Sequence, residues 1–311
     1  HIIADGWSIN VLCREILTLY EAERTRQPCP LVPLRIQYKD FATWQNARDF
    51  GREERYWLER LAEAPHAVRL PYDFTPPEER SFRGGMEGLT LDGATVRDLR
   101  RLAAARGTTT ATVVLALFQL YLYQWTGQED MCLGLGVANR NHADLENLIG
   151  FFVNLLPVRT RLTAEMGFDE LLGQVAEATH AALDHQDYPF DLLVQKANPR
   201  RVANRQPLIN VVYAFQNYED VRIDIGWTDG RGSAVEPGGD LLEGVRSFDF
   251  VFETSKFDLT LFVTDLGEEL QLHLEYDTEL FAAESIREGL RALERFAGMV
   301  VDPSPCEARV S

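Results

Sequence analysis

The chain opens on a histidine, three intervening residues and an Asp-Gly pair: His1, Asp5 and Gly6, followed by Trp7 and Ser8. The imidazole is the group in this set suited to proton transfer. The spacing has a physical meaning on a turn between a strand and a helix. There the imidazole faces a channel, while the Asp5 carboxylate turns back into the protein and holds the loop. Gly6 permits positive φ or a close backbone approach. Ser8 can N-cap the apolar stripe Ile9, Leu12, Ile16 and Leu19, and Asp5 can cap it instead. Six residues with three determined positions recur by chance, and a histidine among apolar residues is more often structural than catalytic. The segments further along give this one its weight. A histidine at a free N-terminus would be badly held for proton transfer, so the sequence reads as part of a longer chain.

The elements that must position these groups follow from periodicity. Helices are expected over Leu12–Arg26, over Tyr38–Leu61 with an interruption at Gly51, and over 94–106, 109–125, 168–184 and 284–300. Strands are expected over 86–91, 131–137, 151–162 and 208–215, with a hairpin pair, 256–264 and 270–276, around Gly267-Glu268. The proline-rich stretch Leu70–Pro77 reads as a linker. The glycine- and aspartate-rich stretch between Tyr218 and Arg246 reads as a long surface excursion. Strands and helices alternate without an internal repeat, so the class is α/β or α+β.

Length and composition bound the rest. The 311 residues suffice for two compact domains, and 45% hydrophobic with 25% charged residues is ordinary for a globular protein. No apolar run reaches the ~18–20 residues that span a bilayer. The net charge of −17 disfavours nucleic acid and anionic membrane as partners. An acidic partner would need a local basic patch, either Arg97, Arg100, Arg101 and Arg106 or Arg200, Arg201 and Arg205. Cys13, Cys29, Cys132 and Cys306 are scattered and the histidines show no ligand spacing. No metal site is expected, and a reducing, cytoplasmic setting is.

Five segments then occur in order: HIIADGWS at 1–8, YKDFATWQ at 38–45, IGFFVNLLPVR at 149–159, HQDYPF at 185–190 and RQPL at 205–208. Together they resemble the successive core motifs of the condensation domain of nonribosomal peptide synthetases, in the chloramphenicol-acetyltransferase-like superfamily. The resemblance runs the whole length. In that family the first motif is H-H-x-x-x-D-G and its second histidine, matched by His1, carries the activity. The resemblance implies two chloramphenicol-acetyltransferase-like lobes in a V shape. Residues 1–74 would be the C-terminal part of the N-terminal lobe and 75–311 the C-terminal lobe, with a crossing loop near 138–160 and a latch near 218–250. Polypeptide of the missing part of the first lobe would cover Leu12, Ile16, Leu19, Phe41, Trp44, Tyr56 and Trp57.

The implied reaction is amide formation in antibiotic and other secondary metabolism. The amine of an acceptor aminoacyl thioester attacks a donor acyl or peptidyl thioester. Each is tethered by phosphopantetheine to a carrier protein, so the partners are two carriers and adjacent synthetase domains, and the domain itself binds no cofactor. A thioester is already activated and an α-amine of pKa about 8 is partly neutral, so aligning two tethered reactants supplies several kcal/mol of the barrier. The imidazole adds base catalysis or stabilises the zwitterionic intermediate, and positioning with stabilisation is the preferred role. Asp5 would form a buried ion pair with Arg140, which keeps the imidazole neutral, and Gly6 would present its amide to the reacting centre. One of Asn210 and Asn217 would line the substrate tunnel. Tyr38, Phe41 and Trp44 read as core, Asn154 and Arg159 as a structural amide and ion pair, and His185 as a structural histidine. Four alternatives share parts of the pattern. An epimerisation domain fits HQDYPF and RQPL less well. A heterocyclisation domain would replace His1 by aspartate. An ester-forming acyl-CoA transferase would complete Asp224-Ile225-Gly226-Trp227 differently. A non-catalytic recruitment domain would typically have lost His1 or Gly6.

Overall fold

A computed structural model describes residues 3–65, 67–197, 206, 208–217 and 254–301. His1, the cluster Arg200, Arg201 and Arg205, and the latch expected near 218–250 lie outside the described residues. The described chain packs as two compact units. One contains residues up to Arg52 together with Val137–Asn154. The other contains the described residues of 53–136, 155–217 and 254–301, so the division falls between Arg52 and Glu53.

In the first unit, α1 (Gly6–Thr25) and α2 (Tyr38–Ala47) meet the short α6 (Ala143–Glu146) and the segment after it. Its core is small: Phe41 packs with Leu145, Leu148 and Phe152, and Ile36 and Tyr38 close the cluster. The aromatic rings interlock, with Tyr38 edge-on to Phe152 at 5.1 Å and Phe41 tilted against Phe152 at 4.8 Å.

The second unit is built on a six-stranded mixed sheet of β1 (Gly84–Leu91), β2 (Asp130–Val137), β3 (Asn154–Arg161), β4 (Val211–Asn217), β5 (Leu259–Asp265) and β6 (Leu270–Asp277), in the order β1-β6-β5-β4-β2-β3. β4 runs parallel to both β2 and β5, while β6 is antiparallel to β5 and β1. The expected hairpin forms as β5 and β6, because Gly267 takes φ +87° and its amide donates to Asp265 Oδ1. α4 (Gly93–Ala105), α5 (Thr110–Thr126), α7 (Phe168–Leu183) and α9 (Ala283–Val301) pack on one another, with α9 against β1 and β6. α5 is apolar on all sides and is buried from Thr112 through Leu122, as a helix of that composition must be. The Tyr38–Leu61 stretch divides as its glycine suggested, and Gly51 opens α3 (Gly51–Leu61) after Arg48 turns to extended backbone. α8 (Phe190–Ala197), after Pro189, has no counterpart in the periodicity reading.

The stretch around Leu70–Pro77 has no regular structure, but it lies inside the second unit and does not link the two, because its polar groups are laced to the rest of that unit. Tyr72 Oη donates to Asp258 Oδ2, and the amides of Asp73 and Phe74 both reach the Leu280 carbonyl. Arg80 continues the lacing by bridging the buried Asp258 and Asp277.

Candidate active site

The Asp-Gly pair is legible as the first turn of α1. Asp5 is the N-cap, with extended backbone (φ −116°, ψ 179°), and its Oδ1 accepts the Ser8 amide at 2.8 Å. Capping therefore falls to Asp5, and Ser8 becomes the third helical residue, facing inward. Gly6 is the first helical residue and exposed. The positive φ allowed to it is not used. Its amide belongs to the first-turn N–H groups that a helix leaves without an internal partner.

The second Asp5 oxygen accepts the amides of Phe152 at 3.0 Å and Val153 at 3.3 Å. Arg140, expected as the partner of Asp5, places Nη2 3.2 Å from Asp5 Oδ1, with both side chains almost fully buried. The same nitrogen donates to Ser8 Oγ at 2.8 Å, while Nη1 donates to the carbonyls of Leu145 and Leu148. The guanidinium carbon also lies 4.1 Å from the Phe152 ring centre. Asp5 and Arg140 are 135 residues apart in sequence, so this bond staples the turn after His1 to the 140–153 segment. Trp7 adds an outer tie, its indole nitrogen donating to the Glu146 carbonyl at 2.8 Å.

Burial works to raise the pKa of Asp5. The Ser8 hydroxyl, the Phe152 and Ser8 amides and the Arg140 charge together outweigh it and hold the carboxyl below the usual carboxylate range. Burial pulls the Arg140 pKa down and Asp5 opposes this. The guanidinium remains charged, and a charged pair is what the cage of donors and acceptors requires.

The remaining sequence candidates fall into place away from this network. Tyr38 and Phe41 are core, as expected, whereas Trp44 stays exposed. Phe41, Tyr56 and Trp57 were expected to need further polypeptide over them, and this is corrected. Phe41 is covered within its own unit, Tyr56 stacks on His185 at 3.9 Å, and buried Trp57 donates to the His185 carbonyl. His185 is thereby a packing residue. Asn154 is buried at the start of β3. Arg159 pairs with Asp130 and donates to the carbonyls of Arg60, Ala62 and Glu63, which closes the C-terminal end of α3. That also places it at a groove of about 590 Å³ between α3, β3 and α7 with no nitrogen to spare.

Asn210 does not fit the tunnel-lining expectation. It is 1% exposed, and its amide is consumed by the backbone of Val68 in both directions and by Asp258 Oδ2. Asn217 ends β4 opposite Asp265, and its side chain lies outside the described residues. Of the basic patch on α4, Arg100, Arg101 and Arg106 are ion-paired with Asp265, Asp98 and Asp169, which leaves little charge for a partner. Sequence reasoning missed Ser8 as a binding residue and Gly150 as its counterpart. The signals were a serine one helical turn after a capping aspartate and a glycine beside the Phe151-Phe152 pair. Among the described residues there is no cluster of metal-ligating side chains and no helix long and apolar enough to cross a membrane.

An acid-capped helix start, tied by a buried arginine to a segment well over a hundred residues away, is where comparison with known proteins becomes informative. The sequence model of the condensation domain matches residues 1–306, and the chain belongs to that family. It is 36% identical over 308 residues to chondramide synthase cmdD of Chondromyces crocatus, covering 97% of this chain and 8% of that protein. It is likewise 36% identical over 306 residues to tyrocidine synthase 3 of Brevibacillus parabrevis, covering 97% of this chain and 4% of that protein. The chain thus spans less than a tenth of the length of these relatives. Among solved structures, holo-AB3403, a four-domain nonribosomal peptide synthetase bound to AMP and glycine, superposes with a TM-score of 0.82. That likeness, at 22% identity over 99% of this chain and 23% of the other, concerns the fold, which is the mixed α/β chloramphenicol-acetyltransferase-like one.

Proposed function

We propose that this condensation domain forms an amide between a donor acyl or peptidyl thioester and an acceptor aminoacyl thioester, in nonribosomal peptide biosynthesis in the cytoplasm. The observation that carries the reading is the buried Asp5–Arg140 pair at 3.2 Å, four residues after His1, in a chain matched by the family from 1 to 306. A charged Asp5 is already balanced by its own arginine and amides, and the His1 imidazole is read as neutral, the form needed to accept a proton. The neutral amine attacks, His1 takes or shares the proton of the ammonium that forms in the zwitterionic intermediate, and the Gly6 amide, at the positive end of α1, faces developing negative charge. The donor carrier's phosphopantetheine thiol leaves and the product stays on the acceptor's arm. Both substrates arrive on carrier proteins, and neither a metal nor a covalent nucleophile is part of the scheme. The test is reconstitution of the full-length protein with a loaded donor and a loaded acceptor carrier, followed by intact mass spectrometry of both. The expected result is gain of the donor acyl mass on the acceptor and appearance of free thiol on the donor. Cognate carriers that stay loaded and unchanged would instead favour the recruitment reading.

Residues 1–74 are assigned to the N-terminal lobe and 75–311 to the C-terminal lobe. Further polypeptide covers the outer face of α1, where Ile9, Leu12, Ile16, Leu19 and Tyr20 are exposed among these residues. A row of this length is more apolar surface than a monomer ordinarily leaves open. In the full-length protein Ile16→Asp is therefore expected to cost about 2 kcal/mol or more in denaturant unfolding. A change within about 0.5 kcal/mol, the usual effect at an open surface, would refute the covering.

A further inference from the structure

The serine of the first motif has more to do than its place in the helix requires. Ser8 is 0% exposed, and its hydroxyl touches four polar groups. It lies 2.7 Å from Asp5 Oδ1, 2.7 Å from the Gly150 carbonyl oxygen, 3.0 Å from the Gly150 amide nitrogen and 2.8 Å from Arg140 Nη2. A hydroxyl has one hydrogen and two lone pairs. The lone pairs accept from Gly150 N–H and from Arg140, and the hydrogen goes to Asp5 or to the Gly150 carbonyl. No hydroxyl capacity is left for solvent, and both backbone groups of Gly150 lie within hydrogen-bond reach of one side chain.

Gly150 has nowhere else to go. A Cβ on it would lie 2.1 Å from Cδ2 of Tyr38, and Tyr38 Oη donates to the next carbonyl, that of Phe151. The following amides, of Phe152 and Val153, belong to Asp5. The N-cap and the third helical residue, one turn apart, therefore grip three residues of the 150–153 segment, Gly150, Phe152 and Val153, and Tyr38 holds the fourth. We infer that Ser8 is a positioning residue: its hydroxyl locks Gly150 onto the Asp5–Arg140 pair and thereby sets the turn at Asp5, four residues after His1 in the sequence. The inference rests on the reading of His1 as the working group. Alanine at position 8 would leave the Gly150 amide and an Arg140 N–H buried without an acceptor, whereas threonine keeps the hydroxyl. The Ser8 hydroxyl is also the foremost of the contacts that lower the Asp5 pKa, so its loss moves that pKa upward.

The test uses the full-length protein and the variants Ser8→Ala, Ser8→Thr, Asp5→Asn and the double Asp5→Asn/Ser8→Ala. Ser8→Ala is expected to lower kcat for peptide formation about tenfold or more, since small misplacements of aligned reactants are costly. KM for both loaded carriers should stay within about twofold, because no carrier contact is altered. The acid-side inflection of kcat/KM should move to higher pH, Ser8→Thr should recover most of the rate, and the double variant should be no slower than Asp5→Asn. A wild-type kcat in Ser8→Ala overturns the inference. So does a loss that vanishes when rates are normalised to folded protein while the pH profile stays put. Hydrogen exchange at the Gly150 amide is the arm independent of activity. Its protection should fall at least about tenfold in Ser8→Ala and persist in Ser8→Thr, the scale expected for loss of one buried hydrogen bond. If the wild-type protein makes no peptide, the functional reading fails on its own and this arm still decides the lock: unchanged Gly150 protection refutes it.

Discussion

Replacing His1 by alanine in the full-length protein is expected to cut peptide formation by at least about 10²-fold, the lower range for losing a positioned acid–base group. The argument is chemical. Both reactants are tethered and the thioester is activated, so alignment survives the substitution and leaves a residual rate well above the uncatalysed one. What disappears is the group that can remove the proton from the amine as it attacks or share it in the zwitterionic intermediate. Single-turnover assays with both carriers pre-loaded isolate that step from carrier exchange. The loss should appear in the rate constant, with half-saturating carrier concentrations unchanged. Product formation within a few-fold of wild type would remove His1 from the chemistry and leave it as a packing or positioning residue.

The second large effect is expected at Asp5 and Arg140, and it falls on stability as well as rate. Their side chains are 0% and 2% exposed, so removing either leaves the other buried and uncompensated. Such losses cost about 3–5 kcal/mol. Asp5→Asn is nearly isosteric, but at one of its two oxygen positions it turns a donor toward a donor, either the Phe152 and Val153 amides or those on Ser8 and Arg140. Arg140→Ala also strips the carbonyls of Leu145 and Leu148 of their guanidinium donor. Denaturant unfolding should show both losses, and the double variant should lose less than their sum because the pair is in direct contact. Single losses below about 0.5 kcal/mol, in the range of open surface sites, would show that the pair does not hold the turn. The pH dependence has a definite sign. The folded-state pKa of Asp5 lies below its unfolded value of about 3.9. Its stabilisation is therefore fully present above that value and is lost as pH falls through the folded pKa. The wild-type protein should show that acid-side loss, and Asp5→Asn should lack this component.

Much of the local structure is a direct consequence of the order of residue types. A strongly apolar run with a threonine cap before it and Gly127 after it reads as a buried helix, and α5 is one. Gly267 between two alternating runs could only close a hairpin, and Gly51 could only interrupt the long amphipathic stretch. The family is equally legible, because five short segments in a common order reflect one fold and one site. These are properties of neighbouring residues, determined by dihedral preference and periodicity.

What the sequence leaves open is set by contacts between distant residues. Either Ser8 or Asp5 could have capped α1. The choice went to Asp5 because its second oxygen finds the amides of Phe152 and Val153, and that leaves the Ser8 hydroxyl to the backbone of Gly150. The family resemblance made Asn210 or Asn217 a channel residue by its place after the RQPL segment. The bend at Asn210, just before β4, turns its amide against Val68 within the second unit. Arg159 was legible as a structural ion pair, and the structure supplies Asp130 as its partner. That it also ends α3 depends on the carbonyls of Arg60, Ala62 and Glu63 arriving beside it. The family resemblance implied further polypeptide over Phe41 and Trp57, and the chain itself supplies the cover through Phe152 and the stretch at His185. A side chain's type and its place in a helix or strand are local facts. Which buried polar group it satisfies is decided only when residues a hundred or more positions apart are brought within about 3 Å, because an unpaired buried donor or acceptor costs too much to persist.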